Sequence, residues 1–200
     1  MDEGLALILQ RRTIRRFEAK KVDRNKIISI LKAALSAPSA HNLQAWRILV
    51  IDDASKKEQL ADLASKLYYK SLIARNIAGA TVKAGKARER IASAPVILIL
   101  FLARDELRKE ASWRRIRNEW IMGTQSLAAM AQNILLAASA LGLGACWRGV
   151  ALFMANHINR EFNIPHSMEP QALIELGYPM QKPKPKKVRD MKEVVHFNEW

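Results

Sequence analysis

The sequence predicts one domain of mixed helices and strands, built around a single buried helix. Three observations carry this expectation. The stretch Trp120–Trp147, WIMGTQSLAAMAQNILLAASALGLGACW, holds no charged residue in a chain that is 26% charged. Segments of helical period and short apolar runs of strand length lie on either side of it. Two hundred residues, half of them hydrophobic, can bury a substantial core and exclude wholesale disorder.

The uncharged stretch is long enough to raise the question of a membrane span. Against a span, it is rich in Ala rather than Leu, and Gln132 and Asn133 stand side by side at its middle. What precedes Gly142 is apolar or small on every side, which predicts a helix buried all round. Gly142 and Gly144 then stop it, as glycine does just past a helix end.

Before that helix, Asp2 is placed to cap a first helix with Leu5, Ile8 and Leu9 on one face. RRTIRRF at 11–17 reads as extended, with Arg11, Thr13 and Arg15 pointing one way and Arg12, Ile14 and Arg16 the other. Two guanidiniums and a hydroxyl on one side suit a phosphate or another anion; a solvated basic edge has the same pattern. Asp23 caps a second helix through Ile27, Leu31, Ala34 and Leu35, which Pro38 ends. The polar loop APSAHNLQAW follows, either a ligand-facing loop or an ordinary turn, and leads into the strand WRILVID. Ser55 and Glu58 read as a capping box for a long helix through Leu60, Leu63, Leu67 and Leu72. Gly79 and Gly85 make the stretch from Arg75 to Arg90 an irregular helix, and APVILILFLA a strand covered on both faces.

After the buried helix, ACWRGV reads as a short central strand, and Phe153, His157 and Ile158 mark a helix that ends before Pro165. PQALIELGYP is a further strand, MQKPKPKKVRD an extended tail, and MKEVVHFNEW a strand-like end in need of a pairing partner.

Lysine and arginine total 33 against 19 acidic residues, a formal net charge of +14. Such a balance suits nucleic acid, an anionic small ligand or a solvated surface. The bases gather at 11–26, 104–117 and 182–192, without the interleaved aromatics of a single-strand binder. Acids precede the apolar residues in MDEGLALILQRR, so no signal peptide is expected there. Cys146 is the one cysteine, which predicts no internal disulfide and a reducing, cytoplasmic setting. The four histidines lack metal-ligand spacing, so no metal is expected, and no dinucleotide, P-loop or nucleophile-elbow motif occurs.

Four segments in series resemble the nitroreductase family of FMN-dependent oxidoreductases: RRTIRRF at 11–17, APSAHNLQAWRILV at 37–50, AQNILLAASALGLGACWRG at 131–149 and KPKPKKVR at 182–189. The resemblance implies an α+β fold, a three-layer α-β-α sandwich with a mostly antiparallel central sheet around the buried helix. It implies one FMN-binding domain over residues 1–200, with the 180–200 arm reaching the partner subunit of a homodimer. Arg11, Arg12 and Thr13 would then cradle the ribityl phosphate, with Arg15 at the flavin N1/O2 edge, where it supports the anionic reduced flavin. Pro38, Ser39, Ala40 and Asn42 would reach the partner's flavin, and Arg148 and Gly149 would lie near N5. Lys187 and Arg189 would clamp the phosphate.

The chemistry implied is ping-pong hydride transfer from NAD(P)H through FMN N5 to a small acceptor such as a nitroaromatic or quinone. No side chain acts as acid or base in this scheme, and neither nucleic acid nor membrane is a partner. Ala45 and His41 depart from the family pattern, which has Pro and a smaller residue there. Alternatives are an enzyme on the same scaffold with a deazaflavin, a halogenated aromatic or a flavin as partner, a flavin-storage or sensor protein, and a basic nucleic-acid-binding protein.

Overall fold

The structure is a computed structural model that describes residues 2–183 and 185–200. Lys184, within the basic motif at 182–189, lies outside the described residues. Six helices occur, α1 (Glu3–Gln10), α2 (Arg24–Leu35), α3 (Ala54–Ala74), α4 (Ala80–Ala92), α5 (Trp113–Ala140) and α6 (Ala155–Glu161), among the described residues. Four strands, β1 (Trp46–Ile51), β2 (Val96–Ala103), β3 (Gly144–Arg148) and β4 (Met168–Gly177), form one sheet in the order β1-β2-β4-β3. Every neighbouring pair in it is antiparallel.

β2 shows why the sheet sits between two helical layers. All eight of its residues are buried. Val96, Leu98, Leu100 and Leu102 pack with Ile30 and Ala34 of α2 and with Met130, Ile134 and Ala138 of α5. The alternate residues Ile97, Ile99 and Phe101 pack with Leu60 and Ala64 of α3, Ile91 of α4 and Met154. A strand needs covering on both faces when both of its side-chain rows are apolar. The result is an α+β sandwich of three layers. Pro170, which cannot donate to a ladder, falls where the β2–β4 register shifts between Leu100 and Phe101.

The basic segment at 11–17 lies along the outer edge of β3. Ile14 N–H donates to the Ala145 carbonyl at 3.0 Å, and Thr13 makes a parallel bridge to Ala145. Gly144 permits this approach: a Cβ there would lie 2.6 Å from Cβ of Ile14. Ile14 and Phe17 are the buried residues of the segment, three apart, so strict alternation does not run through it. Arg12 turns back to α1, where its Nη1 donates to the carbonyls of Leu9 at 2.6 Å and Arg11 at 2.9 Å.

Several local expectations hold. Asp2 caps α1, Asp23 caps α2, and Gly142 adopts φ 72° beyond α5. Others need correction. The α3 cap is Asp53, which accepts from Lys56 N–H, while the Ser55 hydroxyl donates to Asp53 instead of capping. Those bonds, the Ser55 hydroxyl first, hold the Asp53 carboxyl below its ordinary value. Ile30 fills the core place on α2, and Leu35 is exposed. From Ala80 to Ala92 the chain is a continuous helix, entered through Gly79 at φ 70°. β3 ends the sheet rather than occupying its centre.

Two further corrections concern surfaces. Helix α5 is buried along one face only, at Gly123, Leu127, Met130, Ile134 and Ala138, while Gln125 and Gln132 are exposed. Residues 191–200 form no strand in this chain, and Phe197 and Trp200 stand in solvent.

Gly144→Ala should force Ile14 off β3 and destabilise the protein by about 1–3 kcal/mol, the usual cost of overpacking. A denaturant titration measures it. Unchanged stability would mean that the 11–17 segment is not seated on this glycine.

Candidate functional site

Beyond the end of β3 the chain opens a cavity of about 700 Å³. Its apolar walls are Leu67 and Tyr68 of α3 and Val150, Phe153 and Met154 after β3. Four arginines line it: Arg15 from the basic segment, Arg75 from the end of α3, Arg90 from α4, and Arg148 from the end of β3. Ala64, Ser71, Cys146, Trp147 and Gly149 complete its lining. An apolar slot ringed by guanidiniums suits a flat ring that carries negative charge.

One arginine is already paired. In the β3–β4 register Cys146 lies opposite Glu175, so Arg148 is its diagonal neighbour on the same face. Arg148 Nη1 donates to Glu175 Oε1 at 2.7 Å. Glu175 is fully buried, and its Oε2 has no hydrogen-bond partner among the described residues. Burial raises the Glu175 carboxyl above its ordinary value, opposed by Arg148 and more weakly by Arg90 and Arg15. Burial also raises the Cys146 thiol, which keeps it protonated and inert.

The loop after α2 lies in a different place. His41, Asn42 and Gln44 all have positive φ, near 50°. For His and Gln this conformation costs on the order of 1–3 kcal/mol each and is a recurrent mark of ligand-facing loops. Hydrogen bonds hold the loop in shape: Gln44 N–H donates to Ser39 Oγ, and Ala40 N–H donates to Ser126 Oγ of α5. His41 Nε2 lies 3.4 Å from Oε1 of Glu119, which is buried on α5. Glu119 also lines a second cleft, of about 650 Å³, with Trp113 and Trp120.

A family model described as the nitroreductase family matches residues 8–178. The chain belongs to the nitroreductase family. The NADH dehydrogenase of Thermus thermophilus is 30% identical to it, over 94% of this chain and 92% of that protein. Among solved structures, an FMN-dependent nitroreductase from Clostridium difficile is 26% identical, with a TM-score of 0.73 over 98% of this chain and 99% of that one. A Desulfovibrio desulfuricans structure solved in complex with FMN is also 26% identical, with a TM-score of 0.77 over 100% and 99% of the two chains.

Of the residues singled out from sequence, this nitroreductase brings Arg15, Arg148 and Gly149 into one cavity. Arg11, Arg12 and Thr13 are half-buried nearby in sequence, outside its lining. Pro38, Ser39, Ala40 and Asn42 belong to the separate loop, and Lys187 and Arg189 stand exposed in the C-terminal arm. Sequence reasoning missed Arg75, Arg90 and Glu175. A signal for Glu175 was present, as the one acid in the apolar run ALIEL. The two arginines carry no such signal, because the folding of α3 and α4 over the sheet brings them to Arg15. Among the described residues, no group of three or more His, Cys, Asp or Glu is placed to hold a metal ion, and no helix is long and apolar enough to cross a membrane.

Arg148→Met leaves Glu175 buried without its counter-charge and should cost about 3–5 kcal/mol. The deficit should shrink on acidification, since a protonated Glu175 has no charge to leave unpaired. Adding Glu175→Gln should restore most of the loss in a denaturant titration. Equal stability of the single and double variants would contradict the coupling.

Proposed function

We propose that this nitroreductase is an FMN-dependent NAD(P)H oxidoreductase that works as a homodimer and passes electrons to a small acceptor such as a nitroaromatic or quinone. The observation that carries the reading is the 700 Å³ cavity in which four arginines surround an apolar slot. Its lining fits the flavin ring of FMN: apolar walls for the ring, and cations for the negative charge that reduction adds. When bound, FMN supplies the hydride chemistry, taking electrons from NAD(P)H and giving them to the acceptor.

The chain's own residues hold and orient in this reading. Arg11, Arg12, Thr13, Lys187 and Arg189 bind the phosphate. Arg12 already caps α1, so its share in phosphate binding needs its guanidinium to turn from the Leu9 carbonyl. Arg15 would place positive charge at the N1/O2 edge, and the backbone at Arg148 and Gly149 would lie near N5. Pro38, Ser39, Ala40 and Asn42 come from the partner subunit, which accounts for their distance from the cavity within one chain.

Residues 1–200 then act as one FMN-binding unit, with the 180–200 arm laid across the partner. Three exposed apolar groups support a homodimer: Leu5, Ile8 and Leu9 on α1, Trp113, Ile116 and Trp120 on α5, and Val194, Phe197 and Trp200 on the arm. Left in water, such surfaces mark contact sites. A single free thiol and the reduced-nucleotide donor fit a cytoplasmic setting.

Titration of the purified protein with FMN tests the reading. Uptake should turn it yellow, and NADH or NADPH should bleach the colour without oxygen. Arg11→Ala and Lys187→Ala should each weaken FMN binding by about ten- to a hundred-fold, the worth of a charge-assisted contact of about 1.5–3 kcal/mol. A protein that takes up no FMN would overturn the reading.

A further inference from the structure

β4 is apolar where it crosses the core: Ala172, Leu173, Ile174 and Leu176 are all buried. Glu175 interrupts this run with a carboxylate that has no solvent contact. A buried charge is costly, and an apolar residue of similar size is often as good for stability. The position of Glu175 offers another reason for it. Among the described residues its carboxylate accepts one hydrogen bond, from Arg148, which lines the cavity, at 2.7 Å. Arg15, Arg75 and Arg90 have no ion-pair partner among the described residues. Without Glu175 the cavity would carry four uncompensated guanidiniums.

We propose that Glu175 is a positioning residue that sets the reduction potential of the flavin. By neutralising Arg148 from beneath the cavity, it lowers the positive potential felt by the ring. Reduction adds negative charge to the ring, so a less positive lining favours the oxidised form and makes the bound flavin a stronger reductant. The inference rests on the FMN reading given above. It concerns a residue that touches no ligand and acts through Arg148.

The charged and titratable groups facing Glu175 are Arg148 and Cys146 from β3, Arg15 from the basic segment and Arg90 from α4. Burial already lifts the carboxyl above its ordinary value. Acidification therefore protonates Glu175 while the arginines keep their charge. The wild-type potential should then approach that of a Glu175→Gln variant as pH falls, which a purely structural role would not produce.

The test is anaerobic equilibration of the FMN-loaded protein with a redox dye, read from the flavin absorbance. Glu175→Gln should shift the equilibrium between oxidised and reduced flavin about tenfold toward the reduced form. For a two-electron couple that is about 30 mV upward. The gap from wild type should narrow as pH is lowered. Arg148→Met/Glu175→Gln removes one charge of each sign and should return the potential to near the wild-type value. This double variant carries the test even if Glu175→Gln fails to fold, because removing both charges leaves neither partner buried and uncompensated. A Glu175→Gln protein that binds FMN with an unchanged or lower potential would overturn the proposal. So would a double variant whose potential departs from wild type by the full tenfold. A wild-type protein that takes up no FMN would overturn the functional reading instead, and this inference with it.

Discussion

The seating of Ile14 on Gly144 is the contact on which the cavity depends. β3 ends the sheet, and its outer edge would be bare without the hydrogen bond from Ile14 to Ala145. A bare edge is an open template for pairing. Covering it with the 11–17 segment closes the sheet and carries Arg15 to the mouth of the cavity, near Arg148 at the end of the same strand. Further along, Phe17 bridges to Pro179 just past β4. A basic segment with little structure of its own is thereby held at both ends by the sheet.

Around that edge, the division of labour follows the layers. The layer of α2 and α5 supplies most of the apolar core, including Ile30, Met130 and Ile134, which have no solvent contact. The opposite layer of α3, α4 and residues 149–161 buries fewer apolar residues and supplies the cavity wall and two of its arginines. The strained loop at His41–Gln44 is fixed to α5 instead, through Ser126 and Glu119. One chain thus holds the loop and the cavity against different parts of its core. A second copy can bring the loop of one chain to the cavity of the other.

Much of the architecture was legible because local and tertiary signals agree. The continuous apolar run of β2 leaves no solvated face, and the structure covers both. Asp23 and Gly142 act where residue type and position both point to them. Where two residues compete, sequence alone fails: Asp53 and Ser55 can each cap α3, and the carboxylate accepts the backbone N–H while the hydroxyl donates to it. Burial of α5 was overestimated because Ala, Gln and Ser fit a core and a helix surface equally well. The β-branched residues of the C-terminal arm suggest a strand, but no strand edge of the same chain takes them up. Arg15, Arg148 and Gly149, singled out by motifs, line one cavity. Arg75 and Arg90 were not singled out, because their place depends on how two helices cross the sheet.

In the proposed function two chains complete each site, and mixed dimers test this most directly. An Arg11→Ala chain is paired with an Asn42→Ala chain, and the NAD(P)H-dependent activity of the mixture is compared with that of each parent. A shared site places both lesions in one site and leaves the other intact, so mixed dimers should regain about half of the wild-type activity by symmetry. Mixed dimers no more active than either parent would contradict the account, because sites built within one chain would each keep a lesion.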